Sequence, residues 1–154
     1  MLPQNTTEGL ISFLNTTICD LKTVNSYVPD IHYGKVIKVY DGDTITIATT
    51  LHNGDIIPSM ELYKFNVRIL GVDTPEIKTK IIAEHDLGII ARDALSELIM
   101  NRVVRLENIS YDKYGRILCN IFLEEINISE WLISKNYAVS YDGGTKLKKW
   151  GILV

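Results

Sequence analysis

The stretch VIKVYDGDTITI, residues 36–47, decides the fold. Val36 and Ile37 start a strand within a segment that opens at Gly34 and reaches Tyr40. Asp41-Gly42-Asp43 is a turn signal, and Thr44 to Ala48 follows as a second strand with apolar residues at alternate positions. Two strands meeting at an acidic tip are the nucleus from which the rest of the chain is read.

Downstream, His52-Asn53-Gly54-Asp55 is a further turn, since Asn-Gly is a strong hairpin dipeptide, and the loop to Met60 exceeds what a tight hairpin needs. Leu62 to Leu70 reads as a third strand closed by Gly71. From Leu87 to Met100 the residues Ile90, Ala91, Ala94, Leu95, Leu98 and Ile99 form one face of an amphipathic helix. Val103 to Ile109 is a fourth strand, Asp112 to Gly115 a turn, and Ile117 to Leu123 a fifth strand. Ile128, Trp131, Leu132 and Tyr137 mark a short helix, opened by Asn127 or Ser129. Upstream, residues 1–33 form an extension. Thr6 or Thr7 caps a helix there, and Leu10, Ile11, Leu14, Ile18 and Leu21 keep helical spacing through Lys22 before Pro29 and Asp30 interrupt. Residues 34–154 are then one body. Three strands, a helix, two strands and a helix argue for an α+β, mostly β fold. A five-stranded oligonucleotide/oligosaccharide-binding (OB-fold) barrel with two or three packed helices accommodates that order, although periodicity alone does not choose it over a sandwich.

A chain of 154 residues, 46% hydrophobic and 23% charged, has the composition of one globular domain. Its net charge of −3 confines any phosphate-binding footprint to a local patch. Arg102 with Arg105 and Lys146 with Lys148 and Lys149 are the candidates, although such runs taken alone are solvated faces. Cys19 and Cys119, without a CxxC spacing, read as reduced core thiols, and His32, His52 and His85 as scattered surface residues. The first residues lack the basic start of a signal peptide, and no apolar run approaches the ~20 residues of a membrane span. The expectation is a cytoplasmic protein without a membrane partner, in which the sequons at Asn15 and Asn127 carry no glycan.

Three segments carry the chemistry. Asp41-Gly42-Asp43-Thr44 taken alone is a turn, and it lacks the ligand spacing of a calcium-binding helix-loop-helix. In VRILGVDTPEIK, residues 67–78, Arg68 interrupts an apolar strand, so its guanidinium must face water or an anion. Asp73 and Glu76 flank Thr74-Pro75, where proline makes a rigid turn. In DKYGRILCNIFL, residues 112–123, a glycine turn sets Arg116 at the rim, although alone this is a common hairpin.

Taken together and in this order, the three segments resemble the staphylococcal nuclease (thermonuclease) family, from about Gly34 to Tyr141. The resemblance implies that Asp43 and Asp73, with the backbone carbonyl of Thr74, hold a metal ion. It implies that Arg68 and Arg116 are catalytic arginines, Glu76 the general base and Asp41 an accessory acid near the metal. Lys113, Tyr114 and Tyr141 match substrate-binding positions, and Tyr141-Asp142-Gly143-Gly144 fills the place of the family's last substrate-side loop. The implied activity is calcium-dependent endonucleolytic cleavage of DNA, RNA or both, leaving 3′-phosphate ends. Unlike the basic bacterial enzymes of that family, this chain is acidic.

The residue types suit that chemistry. A hard dication on carboxylate and carbonyl oxygens neutralises the charge that grows on phosphate. Oxygen-only ligation favours one Ca²⁺, with Mg²⁺ or Mn²⁺ as alternatives, and the scattered histidines and cysteines argue against zinc. Arginine donates two hydrogen bonds to phosphate, and one such donor is worth about 3–4 kcal/mol in the transition state. The rival reading is a catalytically weak or inactive module of the same fold that binds nucleic acid or protein. The presence of Asp43, Asp73, Glu76, Arg68 and Arg116 together favours the enzyme. The sequence leaves the choice between DNA and RNA open, and with it the oligomeric state.

Overall fold

The computed structural model describes residues 7–51, 61–146 and 150–151. Helix α1 (Thr7–Thr16) precedes three strands, β1 (Tyr33–Val39), β2 (Thr44–Thr49) and β3 (Tyr63–Ile69). A two-residue strand β4 (Val72–Asp73) leads to helix α2 (Ile82–Ile99), then to β5 (Val103–Tyr111) and β6 (Ile117–Leu123). A short β7 (Ile126–Asn127), helix α3 (Ile128–Ser134) and β8 (Val139–Ser140) complete the order.

Antiparallel pairing joins β3 to β2, β2 to β1, β1 to β5 and β5 to β6. A parallel pairing of β3 with β6, Val67 opposite Ile117 and Ile69 opposite Cys119, closes the ring. The result is the five-stranded OB-fold barrel that the element order suggested. Alternation fills it: Val36, Ile45, Ile47, Val67, Ile69, Ile117, Cys119 and Ile121 are all within 2% of complete burial. Each such aliphatic side chain contributes about 1.5–3 kcal/mol by leaving water. A register shift between Val36 and Lys38 turns both Ile37 and Lys38 outward and returns Val39 to the core.

Two helices pack on the barrel. Ala91, Leu95 and Ile99 form the buried seam of α2, which leaves Ile90 52% exposed, against the expected face. The helix also begins five residues before Leu87, because Glu84 reaches back to accept from the Glu76 amide (3.2 Å) and the Thr79 hydroxyl (3.0 Å). Asn127 caps α3 by accepting from the amides of Ser129 and Glu130, and the Ser129 hydroxyl donates to the Leu70 carbonyl at 2.7 Å.

Other expectations need correction. Helix α1 stops at Thr16 rather than Lys22; the Thr16 and Thr17 hydroxyls bond back to the Ser12 and Phe13 carbonyls, and a turn at Asp20 follows. Cys19 is an exposed thiol, and only Cys119 lies in the core. His85 is partly buried, its Nδ1 2.9 Å from the Ile77 carbonyl. Arg102 pairs with Glu124 and Arg105 with Glu107, so those two arginines are no open phosphate patch. The cap at Thr6, the turn at Asn53-Gly54, His52, Lys148 and Lys149 lie outside the described residues. Among the described residues, no helix is long and apolar enough to cross a membrane.

Candidate active site

The acidic tip between β1 and β2 meets the β3–α2 segment through one close approach. A Cβ on Gly42 would come within 2.9 Å of the Thr74 side chain and 3.0 Å of Ala91 Cβ. Glycine is therefore required here by contact with α2 and Thr74. That contact lets Asp43 Oδ2 accept from both the amide (3.1 Å) and the hydroxyl (2.9 Å) of Thr74. Asp43 Oδ1 accepts from the Thr44 hydroxyl at 3.1 Å, and Asp41 accepts from the Asp43 amide at 3.1 Å.

Arg68 leaves the barrel between Val67 and Ile69 and is only 11% exposed. Its guanidinium donates to the carbonyls of Ile69 and Val72, both at 2.9 Å, and one nitrogen lies 3.1 Å from Asp43 Oδ2. The interruption of an apolar strand by arginine is thus resolved by an anion, Asp43, together with two backbone acceptors. Asp73 is held by β4, whose pairing with β8 sets Val72 opposite Ser140 and Asp73 opposite Val139. Both Asp73 and Thr74 are buried, at 2% and 3% exposure. Glu76 follows on an exposed turn that packs on α2, where a Cβ on Gly88 would meet the Pro75 carbonyl at 2.9 Å.

The turn between β5 and β6 supplies the opposite wall. Asp112 accepts from the amides of Tyr114 (2.8 Å) and Arg116 (2.9 Å) and from Arg116 Nε at 2.6 Å. Partial burial alone would raise the Asp112 carboxyl; the hydrogen bonds from the Arg116 side chain and from both amides outweigh it and hold the group below its ordinary value. Arg116 is thereby aimed along the rim, with Nη1 3.4 Å from the Thr44 hydroxyl and its guanidinium 5.4 Å from the Tyr114 ring centre. Lys113 lies over the same ring at 5.1 Å.

Asp41, Asp43, Arg68, Glu76, Lys113, Tyr114, Arg116 and Tyr141 all border one cleft of about 650 Å³, with Asp73 and Thr74 buried behind its wall. Eight of the ten candidate site residues thus border one cleft, Asp73 and Thr74 touch it through Lys146 and Asp43, and of the phosphate-patch candidates Lys146 borders it while Arg102 and Arg105 do not. The family model for staphylococcal nuclease homologues matches residues 66–149. The chain belongs to this family. A thermonuclease of Staphylococcus hyicus is 32% identical over 106 residues, covering 68% of this chain and 56% of its own length. An uncharacterized protein of Methanocaldococcus jannaschii is 34% identical over 143 residues, 76% of this chain and 63% of its own. An uncharacterized endonuclease of Escherichia coli is 27% identical over 114 residues, 73% and 63% respectively. The chain therefore spans between 56% and 63% of the length of these relatives.

The site has an electrostatic imbalance of the kind a cation corrects. The Asp41 carboxyl is pushed up to about 7, first by burial and then by the charges of Asp43 and Glu76. Asp73 Oδ1 is buried without an aligned hydrogen-bond donor. Two cations face it, Lys146 Nζ at 2.6 Å and Arg68 at 4.0 Å. The buried carboxylates of Asp43 and Asp73 offer oxygen donors that suit a hard cation, with the Lys146 ammonium against Asp73 Oδ1. Among the described residues no group of three His, Cys, Asp or Glu side chains is gathered for a metal.

Two members of the cleft escaped the sequence reading. Asp112 was legible only as a turn residue, although an Asp four positions before Arg116 is the spacing of an orienting pair. Lys146, grouped with Lys148 and Lys149 as a basic run, turns inward to Asp73 and Glu76.

Proposed function

We propose that this chain is a calcium-dependent endonuclease that hydrolyses phosphodiester bonds of DNA, RNA or both and leaves 3′-phosphate ends. The observation that carries the reading is the pair Arg68 and Arg116, each fixed by its own acceptors and both bordering the carboxylate cleft. Membership of the family and the thermonuclease and endonuclease names of its relatives support it.

Asp43, Asp73 and the Thr74 carbonyl would hold the Ca²⁺, which when bound neutralises negative charge on the phosphate and orients it. Arg68 and Arg116 donate hydrogen bonds to the non-bridging oxygens, on which charge grows as water attacks phosphorus. Their pre-set orientation matters, because a donor already held in place costs no reorganisation at the moment of reaction. Glu76, exposed at the cleft, takes the proton of the attacking water. The new bond joins water oxygen to phosphorus, the bond to the 5′ oxygen breaks, and that oxygen takes a proton from solvent. Asp41 supports the Asp43 amide and adds to the negative potential that draws the cation. Lys113 and Tyr114, exposed on the rim, contact the flanking phosphate, and Tyr141 lies beside the adjoining base.

The test is digestion of end-labelled single- and double-stranded DNA and RNA with Ca²⁺, Mg²⁺, Mn²⁺ or chelator, followed by analysis of the product ends. Cation-dependent cleavage leaving 3′-phosphate is the expected result. Retention of oligonucleotide without cleavage in every cation supports the binding-module reading instead.

A further inference from the structure

Beyond the place given to Tyr141 beside the base, the segment Tyr141-Asp142-Gly143-Gly144 has no role in the proposed function, yet it is closely built. The pairing of β4 with β8, extended by the Tyr141 amide donating to the Gly71 carbonyl at 2.9 Å, ties it beside the strand that carries Asp73. Beyond that tether, Asp142 Oδ1 accepts from the Gly144 amide at 2.9 Å and the Tyr141 hydroxyl donates to the Gly144 carbonyl at 2.7 Å. Gly143 takes a φ of +93°, which a side chain would oppose. The turn reverses the chain and returns Lys146 to the cleft, with its ammonium 2.6 Å from Asp73 Oδ1 and 2.9 Å from Glu76 Oε1.

We propose, building on the cation site inferred above, that Lys146 is a tethered counter-cation: it occupies Asp73 in the cation-free protein and competes with the divalent ion for that carboxylate. A buried carboxylate without a partner is costly, and Asp73 is 3% exposed at its side chain. The ammonium relieves that cost while the site is empty of divalent ion. Two cations cannot share Asp73 Oδ1 without repelling each other across a few ångströms of poorly screened space. The dication carries twice the charge and takes the carboxylate once its concentration suffices. Lys146, 43% exposed, then turns its ammonium to water, the dication having replaced it at Asp73. The double-glycine turn is thus the arm of a local competitor that sets the cation concentration at which the site fills.

The test is calorimetric titration of the purified chain with Ca²⁺, without nucleic acid, for wild type, Lys146→Met and Lys146→Arg, alongside thermal unfolding in chelator and in saturating Ca²⁺. The methionine variant is expected to bind Ca²⁺ roughly five- to tenfold more tightly, in the lower range of typical site-to-site couplings. It should melt below wild type in chelator, with the deficit closing in Ca²⁺, while the arginine variant behaves as wild type. Equal or weaker Ca²⁺ binding by Lys146→Met, beside a wild type that binds, overturns the competition and leaves the cation site standing. Silence of both wild type and Lys146→Met in the titration overturns the two together.

Discussion

Asp43 and Thr74, 31 positions apart in sequence, are joined twice, by an amide and by a hydroxyl that both donate to Asp43 Oδ2. The pair fixes one candidate ligand against another while leaving the Thr74 carbonyl uncommitted to Asp43. Thr74→Val keeps shape, amide and carbonyl and removes only the hydroxyl. Loss of one hydrogen bond to a buried charged group should cost about 1.5–3 kcal/mol in urea unfolding. Ca²⁺ affinity should fall by about tenfold, as for other residues that orient a metal ligand.

Gly42 and Gly115 look alike in the sequence, each within a turn that contains aspartate, but they should respond differently to alanine. A Cβ at Gly42 runs into Thr74 and Ala91 at 2.9–3.0 Å, whereas one at Gly115 meets nothing within 4 Å and faces only a φ of +79°. Gly42→Ala is expected to lower stability by about 1–3 kcal/mol through overpacking and to weaken Ca²⁺ binding. Gly115→Ala should cost about 1 kcal/mol from backbone strain, with Ca²⁺ binding kept. Denaturant unfolding and Ca²⁺ titration of both variants check the contrast.

Lysine should replace neither arginine. Arg68→Lys and Arg116→Lys each keep the charge and lose the planar fork, and each should lower kcat by about 100-fold. Stability should separate them. Arg68 satisfies two carbonyls and Asp43 at 11% exposure, so its lysine variant should also melt lower. Arg116, 31% exposed, should lose rate with little change in melting temperature.

Asp41 predicts a pH dependence of stability in chelator. Its folded value of about 7 lies above the ordinary 3.8, because burial and the charges of Asp43 and Glu76 disfavour ionisation. Between those values the native state holds a proton that the unfolded chain has released, so stability falls as pH rises from about 4 to 7. Asp41→Asn should flatten that slope when melting is followed across the window. A slope unchanged by the substitution would mean that Asp41 does not cause it.

Much of the barrel was legible because period-two alternation and inward burial share one cause, visible from Thr44 to Thr49 and from Ile117 to Leu123. The parallel closure of β3 on β6 was not, since nothing local in Val67 or Ile117 records a partner fifty residues away. Nor were β4 and β8, each two residues long and too short for any periodicity, although they hold Asp73 in place. The start of α2 was missed because its apolar face fades before Gly88 and the first turn depends on Glu84 reaching the Glu76–Thr79 loop. The site residues were legible as three linked motifs, whereas Lys146 was hidden in a basic run whose direction only the turn at Gly143 reveals.

The most direct measurement of the central claim is single-turnover cleavage of a labelled oligonucleotide by wild type, Glu76→Gln and Asp43→Asn, each with its Ca²⁺ affinity measured by titration. Wild type should cut in Ca²⁺ and not in chelator. Glu76→Gln should bind Ca²⁺ within a few-fold of wild type and cut about 10²- to 10⁴-fold more slowly, as expected for a lost general base. Asp43→Asn should lose Ca²⁺ affinity and rate together, because a neutral amide is a poorer ligand for a hard cation. Cleavage by wild type that persists undiminished in chelator, or the same rate in all three proteins, would contradict a cation-dependent nuclease built on these carboxylates.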